Sequence, residues 1–292
     1  MKNILIVYLM AFSCPLFAQL PDTDIFLADI INDKGKISFS KPVNITNRKG
    51  YDNQPSFTPD GKSLLYVAIV DSVQSDVFQY DMKSKINFRM TRTPESEYSP
   101  SYSPDARNIS VVRVDSDKGQ RFYNFPLKDI AHPKLIKNSD SIGYFCWLND
   151  SLLAMFILGN AFTLEVLNVH TAERKLIASD IGRCMKLSPD NKNLFFVIKQ
   201  NDKEWGIFRM DIHSFQLTRI VTTLKDNEDF AVMPDGTLLM GSDGKLFSYN
   251  PEVDKDWQKI ADFSKTFKSF YRISVNQRGD KIAIVAYAGK KP

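Results

Sequence analysis

The sequence predicts an all-β protein, a six-bladed β-propeller with four antiparallel strands per blade. Two observations predict it. A short polar turn followed at once by an apolar run occurs six times: Thr58-Pro59-Asp60-Gly61, Ser103-Pro104-Asp105-Ala106, Leu148-Asn149-Asp150-Ser151, Ser188-Pro189-Asp190-Asn191, Met233-Pro234-Asp235-Gly236 and Asn276-Gln277-Arg278-Gly279. The last residues of these turns stand at 61, 106, 151, 191, 236 and 279, steps of 40–45 residues, which is the length of a propeller blade. The second observation is that the two ends of the chain each carry half a blade, and the halves are complementary.

The first residues read as a secretory signal, residues 1–18, ahead of one propeller domain, residues 19–292. Lys2 gives the positive start, Ile4 to Phe12 is a short apolar stretch, and Leu16-Phe17-Ala18 is a cleavage site. The apolar run is too short to span a bilayer, which takes about 20 residues. Ser13-Cys14 offers a competing lipidation site that would tether the protein to the membrane surface. Ala11, where such sites usually have Leu, favours simple cleavage. The expected location is therefore periplasmic or otherwise exported, with no transmembrane segment.

Four strand signals then repeat. The first enters the turn, as in Pro55-Ser56-Phe57 or Phe145-Cys146-Trp147. The second leaves it and is apolar throughout, as in Leu194-Phe195-Phe196-Val197. Unbroken apolarity over so short a run means that both faces are covered, as when sheets stack around a ring. The third strand alternates (Leu164, Val166, Leu167, Val169). The fourth is polar, as an outer edge must be to stay soluble (Gln216 to Ile220). Pro presets the turn, Asp accepts backbone N–H groups, and Gly takes the left-handed position. The last inner hairpin reaches the C-terminus with no outer pair behind it. That pair is expected from the front of the chain, Asp24–Asp29 and Pro42–Thr46, closing the last blade with N-terminal strands.

Composition excludes some functions. The net charge is only +4 and the charges are interspersed, so the basic footprint of a nucleic-acid binder is missing. The 21 Phe and 11 Tyr suit the wedge-shaped gaps between blades. Outside the signal only Cys146 and Cys184 remain. They fall on neighbouring equivalent strands, and either a disulfide or two buried thiols in separate inter-blade spaces would fit.

The repeat resembles that of the WD-like Pro-Asp repeat family of TolB-like six-bladed propellers. The match is closest over Gln54 to Lys62 and Ser99 to Asp105. It is poorest in blades three and six, where Asn149 replaces Pro and Arg278 stands in place of Asp. The resemblance covers residues 24–292 and implies a fold; the family includes exported binding proteins and accessory domains of peptidases. The chain is expected to lack the N-terminal α/β domain of TolB-like proteins, so roles served by that domain do not carry over.

Catalytic signatures are weak. Neither G-x-S-x-G nor H-E-x-x-H occurs. Gly236 to Gly241 has the glycine spacing of a phosphate loop, but Ser242-Asp243 replaces the Lys-Ser/Thr that phosphate needs. His132, His170 and His213 fall in perimeter turns on successive blades. Asp115-Ser116-Asp117-Lys118-Gly119 resembles a calcium loop with its glycine one place early and Pro126 at the closing position. Trp147, Trp205 and Trp257 read as core. No cofactor, metal or catalytic residue is assigned.

What remains is a surface. Loops entering the inner strands gather at one mouth of the channel, opposite the Pro-Asp turns, and rigidly held loops are where binding evolves. Asp52, Glu97, Tyr144, Arg183, Asp229, Tyr271 and Arg272 are the candidates there. Aromatics interleaved with charge suit recognition of an envelope protein or glycan by a non-enzymatic module. Two other readings stay open: a carbohydrate-active hydrolase or lyase using mouth carboxylates (Glu95/Glu97, Glu228/Asp229), and a purely structural envelope subunit. Truncating Arg183 or Arg272 is expected to weaken binding with little change in stability.

Overall fold

The structure, a computed structural model, describes residues 20–33, 36–70, 74–201 and 203–287. The expected signal segment lies outside the described residues. The chain opens with β1 (Thr23–Asp33), β2 (Lys36–Phe39) and β3 (Val43–Asn44). Blade one is β4 (Asp52–Phe57), β5 (Ser63–Ile69), β6 (Ser75–Asp81) and β7 (Ile86–Arg89). Blade two is β8 (Ser96–Tyr102), β9 (Asn108–Val114), β10 (Gln120–Pro126) and β11 (Lys134–Leu135). Blade three is β12 (Ile142–Trp147), β13 (Leu152–Ile157), β14 (Thr163–Asn168) and β15 (Arg174–Ser179). Blade four is β16 (Ile181–Leu187), β17 (Asn193–Lys199), β18 (Trp205–Asp211) and β19 (Leu217–Thr222). Blade five is β20 (Phe230–Val232), β21 (Leu238–Ser242), β22 (Lys245–Tyr249) and β23 (Gln258–Asp262); β24 (Phe270–Val275) and β25 (Lys281–Tyr287) end the chain.

Blades one to five are antiparallel sheets in simple chain order. The sixth is composite: β24 pairs β25, and β25 pairs β1 over seven residues, Thr23 opposite Tyr287 through Asp29 opposite Lys281. The propeller is thus closed by its N-terminal strand, as the sequence predicts. The outer edge differs in detail. β1 runs on to Asp33 and turns back into β2, so the edge is shared between β2 and the two-residue β3. The cause is the alternation in Lys36-Ile37-Ser38-Phe39, which places Ile37 and Phe39 against the core of blades five and six.

Six apolar clusters fill the gaps between neighbouring blades. One joins blade six to blade one through Ile25, Ala283, Val285, Leu64, Tyr66 and Tyr80, so the ring has no open seam. In β5, Leu64 and Tyr66 face that gap while Leu65 faces blade two, and all three are buried. Each such side chain contributes about 2 kcal/mol by leaving water. Phe122 in the gap between blades two and three meets Phe145 and Trp147 at centroid distances of 4.6 and 5.6 Å.

The Pro-Asp turns behave as their chemistry requires. Asp60 Oδ1 accepts from Thr58 Oγ1 (2.7 Å) and from the Lys62 amide (3.0 Å), and Asp105 does the same with Ser103 (2.6 Å) and Arg107 (3.0 Å). Gly61, Gly236 and Gly279 hold φ of 67°, 87° and 69°. Where the motif fails, another side chain does the work. Asn149 Oδ1 accepts from the Ser151 and Leu152 amides (both 2.9 Å), and Asn276 Oδ1 from those of Asp280 (3.0 Å) and Lys281 (3.1 Å).

Both cysteines are free thiols. Cys146 packs between blades three and four, and Cys184 between blades four and five. The two residues share equivalent strands but point into separate gaps. Burial pushes both thiols up to about 11.

Candidate mouth and channel site

Two connected cavities lie along the ring axis. The outer one, about 520 Å³, opens at the face of the loops entering the inner strands; its lining includes Tyr51, Asn53, Trp205, Asn227, Glu228 and Tyr271. Beneath it an axial chamber of about 150 Å³ is lined by residues from all six blades. Tyr144, Arg183 and Arg272 line both.

A charge network forms the floor of the mouth. Arg183 leaves β16 and pairs with Glu228 (Nη1–Oε1, 2.7 Å) and with Asp229, both from the loop before β20. Lys199 at the end of β17 takes the other oxygen of Glu228 (2.8 Å) and lies over the Trp205 ring. Arg272 on β24 reaches Asp229 (3.5 Å), donates to Asn53 Oδ1 (2.9 Å) and sits over Tyr144. Asn53 in turn donates to the Tyr271 hydroxyl. Burial opposes the charge on both arginines, and Asp229 together with Glu228 at Arg183, and with Tyr144 and Tyr51 at Arg272, outweighs it, so both hold their protons more firmly than usual. Burial also raises the Tyr51 phenol, against the opposing pull of Arg272.

The structure therefore gathers five of the seven candidates, Tyr144, Arg183, Asp229, Tyr271 and Arg272, around the axis. The other two are interior. Asp52 is fully buried against Arg48, and burial pushes its carboxyl up to about 6. Glu97 is fully buried between Thr91 (3.0 Å) and Thr93, and burial pushes it up to about 7. The expectation for the arginines also changes. Arg272 is tied to a buried carboxylate and to blade one, so truncating it removes structural contacts as well as binding ones.

Sequence reasoning missed Asn53, Trp205 and Lys186, although a signal for the axial residues exists. Residues six places before the turn's acidic position (Gln54, Ser99, Tyr144, Cys184, Asp229, Arg272) all line the chamber. So do Ser56, Ser101, Lys186 and Ser274, four places before it. Bulges set this alternation: β4, β8, β12, β16 and β24 each shift register against their partner strand. Gln54 and Ser99 take φ of 55° and 52° within two of these bulges, and Gln54 Oε1 accepts the Ser99 amide (2.7 Å).

The remaining motifs are accounted for locally. His132, His170 and His213 are exposed in turns. The calcium-like segment is the β9–β10 turn, where Arg113 binds Asp115 (2.6 Å) and Arg121 binds Asp115 and Asp117 (both 2.8 Å). Among the described residues no cluster of three or more His, Cys, Asp or Glu is placed to hold a metal ion. No helix among them is long and apolar enough to cross a membrane.

No protein-family model matches the chain, and no curated protein is similar to it in sequence. Solved structures match it in fold. TolB from Acinetobacter baumannii aligns with a TM-score of 0.61 at 13% identity, covering 91% of this chain and 64% of that one. A putative TolB from Agrobacterium tumefaciens aligns at 0.66 and 13%, covering 91% and 99%. An oligogalacturonate lyase in complex with manganese aligns at 0.55 and 14%, covering 85% and 80%. The chain thus spans less than two thirds of the Acinetobacter protein. At these identities the likeness is one of fold, a six-bladed propeller related to that of TolB.

Proposed function

We propose that this chain is an exported, non-enzymatic binding module of the WD-like Pro-Asp repeat type, engaging a protein of the cell envelope at the mouth of its channel. One observation carries this reading. The mouth is a wide cavity lined by Tyr51, Tyr144, Tyr271 and Trp205, and the acid pair at its floor, Glu228 and Asp229, is tied up by Arg183, Lys199 and Arg272, leaving only the exposed rim acids Asp226 and Asp243 outside ion pairs. A glycosidase-type acid and base need carboxyls free to give and take a proton beside the scissile bond. Here the two acids instead hold cations and fix the floor on which aromatic rings present a rigid contact surface.

Site-specific photo-crosslinking in intact cells tests the proposal. A benzophenone side chain at Lys225, exposed on the rim of the mouth, should yield a discrete protein adduct. The same probe at Asn191, on the turn face, should not. Adducts confined to Asn191 would place the interface on the wrong face. Turnover of an envelope polysaccharide by the purified protein would replace binding with the hydrolase or lyase reading. No adduct from either site would leave a structural subunit.

A further inference from the structure

The positions four places before the turn's acidic position form an inner layer, one per blade (Ser56, Ser101, Cys146, Lys186, Ala231 and Ser274), of which Cys146 and Ala231 pack into inter-blade cores instead of lining the axial chamber. Lys186 is its only charged member, and Ser56, Ser101 and Ser274 join it in lining the chamber. Among the described residues the Lys186 ammonium is in no ion pair, in contrast to Arg183, Lys199 and Arg272 above it. The neighbouring Cys146 and Cys184 do not supply a counter-charge, because burial keeps both thiols neutral. Lys186 also lines a third cavity, about 490 Å³, on the turn face, so it stands between the two entrances.

An ammonium with no counter-ion, flanked by hydroxyls, is the complement of a singly charged oxyanion. We propose that the chamber binds one carboxylate, with Lys186 as its counter-ion and Ser56, Ser101 and Ser274 as hydroxyl donors. Lys186 matches the single charge of a carboxylate, and the cations above it, Arg183, Lys199 and Arg272, are already engaged by Glu228 and Asp229. A chamber of about 150 Å³ accepts the carboxylate and a few waters, so the rest of the ligand must lie in the mouth or on the turn face. The carboxylate belongs either to a free small acid or to an acidic residue of the protein partner, the latter resting on the binding-module reading above.

Calorimetric titration of the mature chain with butyrate, with an N-acetylated, C-amidated tripeptide containing one Asp, and with sulfate tests this. Saturable binding of at least one carboxylate is expected, weakened tenfold or more by Lys186→Met and unchanged by Lys192→Met on the exposed turn. Tighter binding of the tripeptide assigns the carboxylate to a protein partner, and tighter binding of butyrate to a free acid. Absence of binding by both, equal affinity for sulfate, or affinity indifferent to Lys186→Met overturns the proposal. Should thermal melts show that Lys186→Met does not fold, Ser101→Ala/Ser274→Ala is read in its place: at least threefold weakening is expected, and unchanged affinity is the overturning result. Lys225 adducts without carboxylate binding remove this inference alone. Carboxylate binding without Lys225 adducts removes the mouth reading alone.

Discussion

Glu97 shows how far one side chain can depart from what its position in sequence suggests. A glutamate just before an inner strand reads as a wet loop residue, yet here it is fully buried. Its surroundings come from the preceding blade: Thr91 and Thr93 donate to its carboxylate, and Ser75 donates to its backbone carbonyl. Burial is the largest influence and raises the carboxyl from 4.5 to about 7, the threonines opposing it. Between those values the folded protein holds a proton that the unfolded chain has lost. The stability linked to this group is therefore complete below 4.5 and declines as the pH rises through about 7. Glu97→Gln, neutral at every pH, should match the native protein near pH 5 and exceed its stability by roughly 2 kcal/mol at pH 8. Urea unfolding at the two pH values measures this, and an equal difference at both would show that Glu97 is not the group responsible. No local pattern announces the effect, since the desolvation comes from packing against another blade.

At the scale of the element, the inner hairpin is where local chemistry and structure agree best. Asp60 organises its turn through two hydrogen bonds, to Thr58 and Lys62, and its carboxyl is held below the usual range mainly by the Thr58 hydroxyl. Asp60→Ala should cost about 1 kcal/mol at neutral pH, comparable to losing a helix cap. A depressed carboxyl contributes stability above its unfolded value and loses it as the pH falls through the folded one, so the difference should vanish in acid. Thermal melts at a series of pH values from 7 down to 2 are the measurement, and a deficit that does not shrink as the pH falls below 3.8 would assign it to something other than the carboxylate. These hairpins were legible because each is written within a dozen residues. The outer edge of the last blade was only partly legible: Pro42–Thr46 carries strand character, but Ile37 and Phe39 draw in a competing strand once the core of blades five and six exists to receive them.

At the scale of the molecule, closure is the property that holds everything else in register. β1 covers the outer edge of β25, and Lys281 pairs with Asp29 across the join. Without β1, β25 would present an unpaired apolar edge, and the cluster joining blades six and one would lose Ile25. A chain lacking residues 20–48 should therefore lose its cooperative thermal transition and self-associate. Near-ultraviolet circular dichroism and size-exclusion chromatography give the readout; a cooperative monomer would mean that the ring closes without its N-terminal strand.

The sequence by itself determined the number of blades, the four-strand unit, the side on which the turns lie and the composite sixth blade. Each of these follows from short-range pattern: turn chemistry within four residues, alternation within six, and a period of 40–45 residues. Only the tertiary structure decided which side chains meet at the axis and in what state of pairing. Arg272 and Asn53 are 219 residues apart and share a hydrogen bond, while Asp52 and Glu97, which the same loop logic places at the mouth, turn inward. The physical reason is that bulges in the inner strands set which alternate residue faces the channel, and ring closure sets which blades oppose one another. Neither is written locally. The pairing that leaves Lys186 without a counter-ion while Asp229 holds two arginines exists only when six separate strands converge.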